Sequence, residues 1–526
     1  MDINVLLQDH LKRLAQPTAN KLLLEVSRGL ERESLRVTED GSLSQRGHPS
    51  ALGSALTHPS ITTDFSEALL EFITAPSQSA EAVIDELDDI QSYTYSQLKN
   101  ELLWVSSMPC KLGADNDVPI ANFGSSNIGQ MKRIYRQGLG HRYGRSMQTI
   151  AGIHYNFSIS DGLWEHLKES TGSRLSLQEY KTSGYFGLIR NFRRLSWLLH
   201  YLFGATPAVC NSFVQQKPHH LQPFDSDRQS LYAPYATSLR MGDLGYQSDA
   251  QSSLAIHYND MPSYVTNLRN ALDLPYAPYK TIGLKDGDNN YKQLNTHLLQ
   301  IENEFYSSIR PKRTAESGEP PLHALQNRGI EYVEVRSLDL NPFTMHGIDL
   351  PSIRFLDSFL LFCLLSSSPE SNLAEQKNID YNQTASVYNG RQPGLLLQRD
   401  SETLSLQEWG QQTLKEIAPV AELLDSAHRG KAHMKALEHM FERLEDSQKT
   451  PSARILKAMN DESESYYAFS MRMAQQQAKY YRERQPSEAT LTKYQHMAAQ
   501  SLQLQQQIEI SDQMSFEHYL ADYYCQ

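Results

Sequence analysis

Arg28-Gly29-Leu30-Glu31-Arg32-Glu33-Ser34-Leu35-Arg36-Val37 reads as an extended strand, and strand side chains alternate between two faces. Glu31 and Glu33 therefore share one face, while Leu30, Arg32, Ser34 and Arg36 share the other. Two carboxylates this close repel each other unless positive charge lies between them. A hard divalent cation held by oxygen ligands meets that need. Taken alone, the pair is explained as well by the solvated face of an edge strand. Other segments repeat the pattern and shift the balance.

Ile61 to Thr74 is a second extended, partly alternating stretch, and it carries Asp64, Glu67 and Glu71. Gly152-Ile153-His154-Tyr155-Asn156-Phe157-Ser158-Ile159 is the cleanest strand, with Ile153, Tyr155, Phe157 and Ile159 on an apolar face and His154, Asn156 and Ser158 on a polar one. Leu298 to Tyr306 reads as a strand with Glu302, Glu304 and Tyr306 on one face, and Gly329 to Ser337 as one that brings Glu334 and Arg336 together. If the strands of Glu31, Glu71, His154 and Glu334 are neighbours, they form a polar surface with more acidic charge than one ion needs. Several oxygen ligands and one imidazole favour Mg²⁺ or Mn²⁺ over zinc. Arg136, in the basic helical segment Gly129 to Tyr143, and Arg310, Lys312 and Arg313 supply charge suited to a transferring phosphoryl group.

The whole chain narrows the classes. A net charge of −12 over 526 residues lacks the basic footprint of a nucleic-acid or anionic-membrane binder. The longest apolar run, Phe359 to Leu365, is far too short to span a bilayer, and the N-terminus lacks a basic leader region. Cys110, Cys210, Cys363 and Cys525 are few and scattered, which predicts reduced thiols in a cytoplasmic protein. No phosphate-binding glycine loop, dinucleotide fingerprint or nucleophile elbow is present.

The spacing predicts helices over 1–20, 79–103 and 184–204 in the first part. After about residue 345 helices take over, at 350–368, 405–427, 429–447 and 462–510. The expected fold class is α+β: an antiparallel sheet core over about 20–345 and a mainly helical portion over about 346–526, read as one domain of residues 1–526.

The opening block, together with Ile61 to Thr74, Met147-Gln148-Thr149-Ile150, His154-Tyr155-Asn156-Phe157-Ser158, Pro234-Tyr235-Ala236-Thr237-Ser238-Leu239-Arg240, Ile309-Arg310-Pro311-Lys312-Arg313 and Gly329 to Asp339, resembles the bacterial glutamate–cysteine ligases (γ-glutamylcysteine synthetases). The blocks run in order from about residue 24 to 345, and the match beyond them is weaker. The resemblance implies a curved antiparallel sheet of the kind shared with glutamine synthetase and the guanidino kinases. It also implies a reaction in which ATP phosphorylates the γ-carboxylate of L-glutamate and the amine of L-cysteine displaces the phosphate.

Carried over by position, the resemblance makes Glu31, Glu33, Asp64, Glu71, His154 and Glu334 metal ligands; one pair cannot share a small octahedral ion without strain, so Glu31 and Glu33 are expected on different ions. Arg336 and Arg136 would steady the phosphoryl group. Tyr135, Asn156, Arg240, Tyr246 and Tyr306 would contact the amino-acid substrates. Glutathione is the expected feedback inhibitor, and no nucleic-acid, membrane or obligate protein partner is expected. Two other readings fit the residues less well: a ligase that couples glutamate to another amine, and a sensor without catalysis. The presence of every assigned acid argues against the sensor.

Overall fold

The computed structural model describes residues 3–526 other than 215–217, 225–227, 246–248, 252–253, 255 and 317. Its centre is a seven-stranded sheet in which every pairing is antiparallel. Strand β1 (Ser27–Thr38) lies between β3 (Leu69–Ile73) and β5 (Ile153–Ser158). Strand β2 (Ile61–Thr63) extends the sheet beyond β3, and β4 (Glu101–Leu103) pairs with the end of β1. A small separate sheet holds β6 (Ala208–Cys210), β7 (Gln222–Pro223) and β8 (Ser230–Tyr232). On the far side of β5 come β10 (Tyr332–Leu338) and then β9 (Ile309–Lys312). The four strands expected to be neighbours are neighbours.

The alternation seen in the sequence sorts the two faces. Leu30, Ile153, Tyr155, Phe157, Val333 and Val335 are fully buried on one face. Helices Ala80–Gln97, Leu177–Phe203 and Leu350–Leu365 cover that side. Each helix begins where its sequence supplies an oxygen for the orphan backbone N–H groups: Ser79 accepts from Ala82, Asp349 accepts from Ser352, and Ser176 forms a capping box with Glu179. Fully burying aliphatic and aromatic side chains contributes about 1.5–3 kcal/mol each, so this face anchors the sheet. The opposite face stays polar.

Several expectations need correction. The stretch 298–306 is not a strand; it holds a short helical turn, Glu302–Glu304, in which Glu304 is buried against Arg142 and Tyr143. The helix expected over 79–103 stops at Gln97, and the chain reverses through Asn100, at φ 58°, into β4. The stretch read as one helix over 462–510 is two, Tyr466–Arg484 and Glu488–Ser511, broken at Gln485-Pro486, where proline disfavours the helical conformation of the residue before it. Cys110 and Cys210 are not free thiols: they form a disulfide with Cα atoms 5.3 Å apart, leaving Cys363 and Cys525 unpaired. No helix among the described residues is long and apolar enough to cross a membrane.

Candidate active site

Register places the acids. Glu33 lies directly across from Glu71, Glu31 across from His154, and Glu334 across from both Asn156 and Arg310. These side chains rise from the polar face, where Glu31, Glu71, His154, Arg310 and Glu334 line a cavity of about 550 Å³. The helix Asn127–Tyr143 forms its opposite side, presenting Met131, Lys132, Tyr135, Arg136 and Leu139. These positions recur at three- and four-residue spacing, which keeps them on one stripe of the helix.

Two acidic groups share the imidazole of His154. Ligand atoms of Glu31, His154 and Glu334 lie within 4.8 Å of one another, and so do those of Glu33, Glu71 and His154. The ring divides its nitrogens between them: Nδ1 is 2.9 Å from Glu31 and 3.8 Å from Glu334, while Nε2 is 3.8 Å from Glu33. This donor set of carboxylate oxygens with one imidazole could hold two hard cations, one on each side of His154. Asp64 lines the same cavity but stands outside both groups.

The electrostatics separate the four glutamates. Burial raises Glu71, and the charges of Glu31, Asp64 and Glu33 add to it, so its carboxyl sits well above the usual range. Burial and the Asp64 charge also raise Glu33, against the pull of His154, Arg240 and Arg336. Burial works against ionisation of Glu334 too, but Lys312, Arg336, His154 and Arg310 hold it well below the usual range. At Glu31, burial and the Glu334 charge are overcome by the hydrogen bond and charge of His154 and by the charge of Lys312, and the carboxyl is lowered. The side near Lys312 is charge-balanced, and the Glu33–Glu71 side is short of positive charge.

The cations are arranged asymmetrically. Lys312 Nζ lies 3.3 Å from Glu334, and Arg336 Nη1 donates to the other Glu334 oxygen at 3.2 Å. Arg136 lies over the Phe123 ring and donates to the carbonyl oxygens of Asp64 and Lys132. Arg313 is turned away, to Glu331 and the Arg328 carbonyl, and does not line the cavity. Glu67 is likewise occupied, accepting from the backbone N–H groups of His48 and Asn122.

The residues expected to meet amino acids divide into lining and supporting groups. Tyr135 and Tyr306 line the cavity, and Tyr306 accepts from Gln148 at 3.2 Å. Asn156 instead donates to Glu31 at 2.8 Å. Arg240 is fully buried behind the wall, donating to the Arg336 carbonyl at 3.0 Å, with Asp339 at 3.7 Å. Gly152 leaves room for it, because a Cβ at that position would meet the Arg240 guanidinium, which would then have to shift. Its N–H donates to Glu33 at 2.6 Å. Tyr246 lies outside the described residues.

Sequence reasoning missed Phe65, Lys132, Gln148, Tyr519 and Tyr523, all of which line the cavity. The helical stripe that contains Tyr135 and Arg136 could have pointed to Lys132. Nothing short of the tertiary fold brings Tyr519 and Tyr523 there.

The sequence profile of the family described as glutamate-cysteine ligase matches residues 11–386. A glutamate–cysteine ligase of Saccharophagus degradans is 51% identical over 506 residues, covering 96% of this chain and 95% of the relative. One of Alcanivorax borkumensis is 49% identical over 523 residues, covering 98% and 99%. The crystal structure of a glutamate–cysteine ligase from Francisella tularensis, solved with AMP, superposes with a TM-score of 0.90 at 38% identity, covering 95% of this chain and 98% of that one. Family profile, relatives and structural match coincide: this chain is an enzyme of the glutamate–cysteine ligase family.

Proposed function

We propose that the enzyme uses ATP to join the amine of L-cysteine to the γ-carboxylate of L-glutamate through a γ-glutamyl phosphate. The products are γ-glutamylcysteine, ADP and phosphate, and the reaction is the first step of glutathione synthesis. The observation that carries this reading is the pair of acidic groups on either side of His154, with Arg336 and Lys312 beside one of them. ATP and glutamate are both anionic, and bringing them together in a partly dry cavity costs Coulomb energy that only local positive charge offsets.

Glu31, His154 and Glu334 would hold one Mg²⁺ or Mn²⁺ ion, and Glu33, Glu71 and the other nitrogen of His154 a second, with Asp64 at the margin. The raised carboxyls of Glu33 and Glu71 support this assignment, since that side lacks cationic partners of its own. Bound there, the ions would neutralise phosphate charge. The chain's own residues do the rest. Arg336 offers a planar fork for the transferring phosphoryl group, and Arg136 adds charge from the helix opposite. Tyr135 and Tyr306 wall the amino-acid end. Asn156 orients Glu31 and Arg240 supports the Arg336 strand, so both serve glutamate binding from behind the wall.

In the second step the cysteine nitrogen bonds to the acyl carbon, the carbon–oxygen bond to phosphate breaks, and the amine loses a proton. Glutathione carries both the γ-glutamyl and cysteinyl groups that such a cavity accepts, so it is the expected competing inhibitor. The use of ATP suits a cytoplasmic setting. The test is ADP release from ATP and glutamate with cysteine, 2-aminobutyrate, alanine or no acceptor. Cysteine should give the highest kcat/KM, and cysteine giving no increase over the blank would end this reading.

A further inference from the structure

The cavity has a wall from the far end of the chain. The C-terminal helix Phe516–Cys525 packs on the helix Asn127–Tyr143, and its Tyr519 and Tyr523, four residues apart and so on one face, line the reaction cavity. Between the two helices lies a small apolar cluster of Met131, Ile134, Leu294 and Leu520, separate from the main core. Hydrogen bonds fix both ends of this contact. At the start of the Asn127–Tyr143 helix, the buried Asn127 donates from its side chain to Asp512 at 2.6 Å and to the Met514 carbonyl at 2.8 Å, and Ser125 N–H donates to Glu509 at 2.8 Å. Two carboxylates at a helix N-terminus are also favoured by its dipole. Further along, Tyr524 donates to the Gln300 carbonyl at 2.8 Å, and the Gln300 amide donates to the Tyr135 carbonyl at 3.2 Å.

We infer that the segment from Glu509 to Gln526 completes the active site. Tyr519 and Tyr523 form an aromatic wall that keeps water from the activated glutamate and shapes the space for the acceptor, and Asp512 holds the opposite helix in position. The inference rests on the acyl-phosphate reading. An acyl phosphate open to water is wasted: a water oxygen bonds to the acyl carbon, the bond to phosphate breaks, and glutamate and phosphate are returned with ATP spent. A ligase of this kind needs a closed wall at the acyl carbon for ATP use to stay coupled to peptide formation. The cavity side facing the sheet is rich in acids, and Tyr519 and Tyr523 supply aromatic surface on the other side.

The experiment is the ratio of ADP released to dipeptide formed, with the KM for cysteine, in the full-length enzyme carrying Tyr519→Ala, Tyr523→Ala or both. Each single variant keeps Leu520 and so the docked helix; if the double variant unfolds, the singles decide. Wild type should give one ADP per dipeptide. The variants should raise that ratio severalfold and raise KM on the order of tenfold, while His518→Ala, on the exposed face of the same helix, changes neither. Asp512→Ala should lower kcat more than it raises KM, and Asp512→Asn, which retains an acceptor oxygen, should recover part of the loss. Wild type that releases ADP without forming dipeptide would overturn the proposed function itself. One-to-one coupling with unchanged KM in both tyrosine variants would overturn this inference alone.

Discussion

On the cavity side of β1, Glu31 and Glu33 meet Glu71, Glu334 and a shared histidine; on the helix side, the intervening residues Arg28, Arg32 and Arg36 are all buried. Opposite charges thus leave one strand in opposite directions. The helix side answers most of its charge from within the protein. Arg28 pairs with Asp357 at 3.1 Å, and Asp357 also accepts from Tyr155 at 2.7 Å. Arg36 pairs with Glu101 at 3.1 Å and donates to the carbonyls of Arg46, Gly47 and Glu67. On the cavity side the Glu33–Glu71 acids have no such set of partners. The difference separates structural charge from functional charge: charge that the fold neutralises holds the fold, and charge that it leaves unbalanced awaits a ligand.

The sharpest way to break the comparison is to exchange the consequences. Arg336→Ala and Glu334→Gln change the cavity side, so each should lower kcat/KM by about 10²–10³ or more, and Arg336→Ala, which leaves Lys312 beside Glu334, should keep thermal unfolding close to wild type. Arg28→Met changes the helix side and leaves Asp357 buried without its cation, which should cost about 3–5 kcal/mol of stability with KM for both amino acids unchanged. If Arg336→Ala unfolded the protein, or Arg28→Met left stability intact while abolishing activity, the division would fail.

Arg32 refines the rule. None of its guanidinium nitrogens has an acceptor among the described residues, and the group lies 6.0 Å from the Phe72 ring centre, in the field of Tyr95 and Tyr481. Because no ion pair is broken, Arg32→Met should cost well under half of what Arg28→Met costs. Calorimetric melts of the two variants side by side measure the difference, and equal losses would show that Arg32 is satisfied in a way the aromatic surroundings do not express.

The two faces also explain what the sequence could and could not reveal. Alternation with period two is a local property, so the polar faces of β1, β5 and β10 were readable from spacing alone, and with them the clustering of Glu31, Glu33, His154 and Glu334. The same alternation misled at 298–306, where Glu304 turns inward to Arg142 and Tyr143, partners about 160 residues upstream. The Cys110–Cys210 bridge, across 100 residues, was hidden for the same reason. Asn156 and Arg240 carry groups able to bind substrate, and only the folded chain shows that their side chains donate to the Glu31 carboxylate and the Arg336 carbonyl. Residue type and spacing reveal chemistry within one element; which element faces it depends on packing of the whole chain.

The smallest effect is the most specific to the unbalanced side. Because Glu71 is raised in the folded protein, its protonated form favours folding in the absence of metal. That contribution is fully present below the unfolded carboxylate value and is lost as pH rises through the raised folded value. Glu334, held low, has the opposite sign: its contribution is present above the unfolded value and is lost only as pH falls through its depressed one. His48, His58 and His346, pushed down to about 4 by burial, also gain stability as pH rises toward neutrality, so the raw Tm of the protein hides the Glu71 effect. The difference between Glu71→Gln and wild type cancels these shared terms. In chelator, the variant should become the more stable of the two as pH rises above the ordinary carboxylate range, by at most about 1.4 kcal/mol for each pH unit by which the carboxyl is raised. Millimolar Mg²⁺ should then stabilise wild type more than the variant, and more at pH 8 than at pH 5, because proton and cation compete for the same oxygens. A difference that stays flat with pH in chelator, and an equal response of both proteins to Mg²⁺, would mean that Glu71 is neutralised from within, and the cavity side of β1 would then obey the same rule as its back.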